Sequence, residues 1–105
     1  MNEEDYEVAF KIIAYAGNAK SSSLLAIRSA KAGDFEAAQK QLEEADRDLH
    51  EAHNAQTKML VQEARGNPVP INIILVHAQD HLTGAMLTRD LAEEFIDLHK
   101  ALAEK

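Results

Sequence analysis

The sequence predicts an all-α fold, an up-down-up antiparallel bundle of three long helices. Three observations lead there. Apolar residues recur three and four apart over three stretches of about thirty residues. Only two breaks interrupt them, Gly33-Asp34 and the run Arg65-Gly66-Asn67-Pro68-Val69-Pro70. In the second stretch the spacing is that of a bundle seam.

The first helix is expected over Glu3–Lys31. Tyr6, Phe10, Ile13, Leu24 and Ile27 form its apolar stripe, with Ala9, Ala16, Ala19 and Ala26 beside them. Glu3, Glu4 and Asp5 suit the positive end of a helix dipole. Gly17 interrupts the stripe at a cost of roughly 1 kcal/mol relative to alanine. Either a neighbouring helix approaches closely there, or space is left for a partner or reacting group.

Gly33 can close the first helix in a left-handed conformation, and Asp34 can cap the second. So short a turn makes the two helices antiparallel neighbours. The second helix is expected over Phe35–Ala64, with a seam of Phe35, Ala38, Leu42, Ala45, Leu49, Ala52, Gln56 and Met59. Gln56 is the polar member, flanked by His53 and Thr57. It either fixes register or reaches a functional group. Two prolines and a glycine end this helix, and Pro70 can sit in the first turn of the third. The third is expected over Ile71–Ala103, with Leu91, Phe95, Leu98 and Leu102 facing inward in its second half. The whole chain, 1–105, reads as one domain. Three such helices make a thin rod that buries little per residue, which favours self-association.

Composition narrows the function. A formal charge of −7 disfavours nucleic acid, whose phosphates need a positive face, and anionic membranes. There is no cysteine, hence no disulfide and no thiolate chemistry. No apolar run is long enough to insert in a membrane. The opening MNEEDYE has neither the basic nor the apolar region of a signal peptide, so a cytoplasmic location is expected.

The chemistry concentrates in the third helix. His77, Asp80 and His81 are spaced i, i+3 and i+4, adjacent on a helix surface. Leu75, Ala78, Leu82 and Ala85 form one face suited to packing on the other helices. Ile73, Val76, Asp80, Thr83 and Leu87 form a second, mostly apolar face. A helix with two apolar faces in a three-helix chain points to an oligomer interface. Asp80 lies within that face, with no Lys or Arg three or four positions away. It is either a solvated helix residue or a carboxylate that symmetry mates bring to a shared metal ion. His77 and His81 are either structural or a transition-metal pair. The spacing in HAQDH is not that of HExxH, so a zinc hydrolase is disfavoured. By loop length and helical rise, Gly17, His53, Gln56, His77, Asp80 and His81 fall within a turn or two of one another.

The segments AYAGNAKS (14–21), AGDFEAA (32–38), EAHNAQTKML (51–60) and VHAQDHL (76–82) closely resemble the lactose/cellobiose-type enzyme IIA of the bacterial phosphoenolpyruvate-dependent sugar phosphotransferase system. They span all three helices. The resemblance implies a homotrimer of nine helices. It implies that His77 accepts a phosphoryl group from the phosphocarrier HPr and passes it to a cysteine of the cognate enzyme IIB, the transferred group residing on Nε2. It further implies that Asp80 meets its symmetry mates at the trimer axis and binds one divalent metal ion, Mg²⁺, per trimer. Neutral imidazole is a good nucleophile near pH 7, and Gln56, His81 and Gln79 are candidate neutral donors to the phosphoryl oxygens. Two departures stand out. Lys20 replaces the arginine common in the family's ARS segment, and Thr83-Gly84 replaces the usual Met-Thr. Two rival readings fit a helical chain with one reactive histidine or acid. A two-component phosphotransfer domain is usually a four-helix bundle with HxxKG. A metal-binding structural bundle needs more inward carboxylates.

Overall fold

A computed structural model describes all residues, 1–105. Three helices fill the chain: α1 (Glu3–Lys31), α2 (Phe35–Ala64) and α3 (Ile73–Ala103). They form a rod of 56 × 20 × 19 Å. No helix is long and apolar enough to cross a membrane.

Each helix end has a local cause. Asn2 and Asp5 close a reciprocal capping box on α1. Gly33, at φ 85°, takes the left-handed conformation that a side chain would oppose, and its N–H reaches the Ala30 carbonyl. The Asp34 carboxylate then accepts from the Ala37 N–H at 3.1 Å and starts α2. Gly66 repeats the device after α2, at φ 81°. The third helix starts two residues later than the expected Ile71. Asn72 is its cap, accepting from the Leu75 N–H at 3.0 Å, so Pro70 lies in the preceding loop rather than in the first turn.

The core corrects the sequence reading in one respect. α1 packs along both other helices, whereas α2 and α3 meet only sparsely. The buried face of α1 is made of small residues, Ala9, Ala16, Ala19, Ser23, Ala26 and Ala30, with Ile12. Tyr6, Phe10 and Leu24, expected inside, face outward. Likewise Ala92 and Ile96 are buried in α3, while Leu91, Phe95, Leu98 and Leu102 are exposed. Alanine faces let helices approach closely, and that displaces the larger side chains to the outer surface. The seam of α2 is as expected from Ala38 to Ala52 and at Met59, with Ala55 buried and Gln56 half-buried.

Ala16→Leu is accordingly expected to destabilise the chain by about 1–3 kcal/mol, because the three added carbons have no space to enter at a fully buried position. Urea unfolding followed by circular dichroism measures this, and an unchanged midpoint would contradict close packing at Ala16.

Only 20 of 105 residues are buried, so the isolated chain leaves an extended apolar surface uncovered. On α3 it runs through Ile73, Val76, Leu87, Leu91, Leu98 and Leu102, each at least 47% exposed. That is the second apolar face expected from the sequence, continued to the end of the helix.

Candidate functional site

The turn from His77 to His81 is held from behind. Ala78 and Leu82 are buried in the same cluster as Ala16, Ala19 and Leu49. This fixes α3 against α1 and leaves the opposite side of the turn facing out. There the His77 ring is exposed and the His81 ring half-buried. Their centroids are 4.4 Å apart with the planes at 81°, an edge-to-face pair one helical turn apart. Asp80 is exposed within the apolar face, with no basic side chain paired to it.

The other expected members divide into two sets. Gln56 does not join His77. Its Oε1 accepts a hydrogen bond from Gln79 Nε2 at 2.6 Å, and the pair lies over a groove lined by Leu60, Val69, Ile71 and Leu75. Gln79 and His77 are two residues apart, about 200° around the helix, so they look in different directions. His53 is exposed in a shallow groove with Leu49, Met86 and Arg89, and its carbonyl accepts from the Thr57 hydroxyl at 2.9 Å. Within one chain the turn therefore brings together His77 and His81, with Asp80 beside them, and directs Gln56, Gln79 and His53 toward the α2–α3 seam.

Both helical glycines stand in open space. A Cβ at Gly17 or Gly84 meets nothing within 4 Å. The close-approach explanation for Gly17 thus fails inside the chain, and room for a partner or reacting group is the reading that the geometry permits. Gly84 follows His81 by three residues and leaves the surface beyond the histidines low. Lys20 is exposed and forms no ion pair.

Arg89, the nearest arginine on α3, is committed elsewhere. Its Nε and Nη2 donate to Asp46 at 2.6 and 3.1 Å, and Nη1 donates to Glu93 at 2.6 Å. The bond to Asp46 above all, supported by Glu93, holds the guanidinium well above its usual range against a smaller opposing effect of burial. Sequence reasoning missed this tie and the Gln56–Gln79 bond. Both obey one antiparallel register: ten residues earlier on α2 pairs with ten residues later on α3. The register set by the Arg65–Asn72 loop is the signal that could have found them.

No group of three metal-binding side chains occurs within the chain. Asp80 supplies one carboxylate at the turn.

Comparison with known proteins bears on this geometry. Residues 7–100 match the family model described as the lactose/cellobiose-specific IIA subunit of the PTS system. The lichenan-specific phosphotransferase enzyme IIA component of Bacillus subtilis is 43% identical over 105 residues, all of this chain and 96% of that protein. The crystal structure of a PTS cellobiose-specific enzyme IIA from Bacillus anthracis superposes with a TM-score of 0.96 at 39% identity, covering 100% of this chain and 96% of that one. The IIA(chitobiose) chain solved in solution in complex with HPr, from the N,N'-diacetylchitobiose branch of the Escherichia coli phosphotransferase system, gives a TM-score of 0.83. Its identity is 39%, with 97% of this chain and 99% of that one covered.

Proposed function

The chain belongs to the lactose/cellobiose-specific IIA subunits of the sugar phosphotransferase system, and on that premise we propose that His77 carries a phosphoryl group from HPr to a cysteine of a cognate IIB. The observation that supports this most is the His77 ring itself. It is exposed and free of ion pairs, and it stands on a turn whose rear face is buried.

The transfer is a substitution at phosphorus. A ring nitrogen of His77, with its lone pair free, attacks the phosphoryl group on HPr. A P–N bond forms to His77 as the donor's bond to phosphorus breaks, and that electron pair returns to the donor. In the second step a IIB thiolate attacks. The S–P bond forms, the P–N bond breaks, and the imidazole recovers its lone pair. Such reactions depend mainly on positioning and on stabilising the equatorial oxygens. His81, one turn away with its ring edge-to-face against His77, is placed to donate to those oxygens. Arg89 is tied to Asp46 and Glu93 and so does not clamp the group, which favours onward transfer, because a tight arginine clamp would hold it in place. HPr as donor is supported by the IIA(chitobiose)–HPr complex of a structural relative. The sugar belongs to the system's membrane component. Its class is a β-linked sugar of the kind that the relatives' names indicate.

Acid-labile phosphate that appears on the chain only with phosphoenolpyruvate, enzyme I and HPr tests the proposal. Labelling by an aspartyl-phosphate donor instead would move the chain to two-component signalling.

The uncovered α3 face supports a homotrimer, nine helices in all, with Asp80 of each copy directed to the common axis. Carboxylate oxygens suit a hard divalent cation such as Mg²⁺. Three Asp80 side chains would hold one ion per trimer, and its part would be to cancel their mutual repulsion. Chelator is then expected to lower the thermal midpoint of the wild-type trimer while leaving that of Asp80→Asn unchanged. Equal responses of the two proteins would exclude Asp80 as the ligand.

A further inference from the structure

Two side-chain ties cross the sparse α2–α3 seam, and they differ in place. Arg89–Asp46 joins the helices near their middle, beyond the histidines. Gln79–Gln56 lies inside the functional turn, since Gln79 stands between His77 and His81 in sequence. The remaining contacts that hold this part of α3 are apolar: Ala78, Leu82 and the half-buried Leu75. Apolar contacts resist separation but are weakly directional. A hydrogen bond between two planar amides is directional. Gln56 also occupies a seam position otherwise filled by Ala52, Ala55 and Met59. A polar residue at such a position lowers stability and fixes alignment.

We propose that Gln56 is a positioning residue for His77, acting through Gln79 to set the rotation of α3 at the 77–81 turn. Gln79 pulls on the rear of the helix, about 200° from His77, so tension there fixes the direction in which His77 points. A side-chain tip lies ~6 Å from the helix axis. Rotation by about 10° moves it by about 1 Å, and a misplacement of that size costs up to about a hundredfold in rate. The proposal rests on the phosphocarrier reading for its kinetic consequence but not for its structural one.

The experiment compares Gln56→Ala, Gln79→Ala, their double variant, Gln56→Glu and Arg89→Met in the full-length protein. Phosphoryl transfer from phospho-HPr gives kcat and KM, and NMR at one fixed pH gives the His77 ring ¹⁵N resonances without any donor. Each single alanine variant is expected to lower kcat on the order of tenfold with KM unchanged. The double variant is expected to be no slower than either single one, because the two residues act as one unit. Gln56→Glu retains an oxygen acceptor for Gln79 Nε2 and is expected to recover most of the rate. The His77 resonances are expected to move in Gln56→Ala and to stay in place in Arg89→Met, which tests for a general loosening of the seam. A wild-type kcat in Gln56→Ala, additive losses, no rescue by glutamate, or unmoved His77 resonances would each overturn the positioning role. Resonances that move in Gln56→Ala in a protein that phospho-HPr does not label would overturn the phosphocarrier reading and leave the positioning of the ring standing.

Discussion

His77→Ala is expected to incorporate no phosphate from phospho-HPr, a loss below detection rather than a reduction. The nitrogen that attacks phosphorus is absent, and no neighbour replaces it. His81 is half-buried one turn further along the helix, and His53 faces a different groove. The substitution leaves the fold intact, because the His77 side chain is exposed and alanine is the best helix former. Changes at exposed positions of this kind stay within about 0.5 kcal/mol. The measurement is intact mass after incubation with the complete donor system, with circular dichroism on the same sample. His81→Ala, by contrast, is expected to slow the transfer and not to abolish it. Full labelling of His77→Ala would show that another residue carries the group.

The second large effect is expected at Leu87. It is 60% exposed in the single chain and lies on the α3 face with Val76, Asp80 and Leu91. Leu87 belongs to neither buried cluster of the chain, so the helices of Leu87→Asp are expected to form as before. In a trimer that joins these faces, the same change would bury a new carboxylate in each of three copies, next to Asp80 and its mates. Each unpaired buried charge costs several kcal/mol, and like charges add repulsion. The variant is therefore expected to sediment as a monomer of 11.6 kDa, and the wild type as a trimer. Its helicity at low temperature is expected to persist, with a lower thermal midpoint because association no longer supports folding. A trimeric Leu87→Asp would place the subunit contact on another face, and the outward Tyr6, Phe10 and Leu24 of α1 would become the next candidates.

The helices themselves were legible in the sequence because their punctuation is chemical. Gly33-Asp34 and Gly66 stand where a left-handed turn and a cap are needed, and α1 and α2 have the ends read from the sequence. Only the start of α3 shifted, since Asn72 outweighs Pro70 as a terminus signal once its side chain reaches Leu75. The direction of the helices was harder to read. Large apolar residues suggest a core, yet Tyr6, Phe10, Leu24, Phe95 and Leu98 lie outside and alanines lie inside. Hydrophobicity gives the period of a helix, but not which of two apolar faces meets its own chain and which meets another. The spacing of His77 and His81 foretold their contact, because residues four apart on a helix are neighbours regardless of tertiary structure. Gln56 had no such guarantee. Helical rise placed it at the right level of the bundle, but its partner depends on how α3 is rotated, which only packing decides.

The most direct test of the account is to locate the phosphate. Wild-type protein is incubated with phosphoenolpyruvate, enzyme I and HPr, its intact mass is read, and the modified residue is mapped by fragmentation at neutral pH. One phosphoryl group per chain is expected, lost in acid, on the imidazole of His77 and discharged when IIB is added. No mass change with active HPr, or phosphate on His53 or His81, would contradict it.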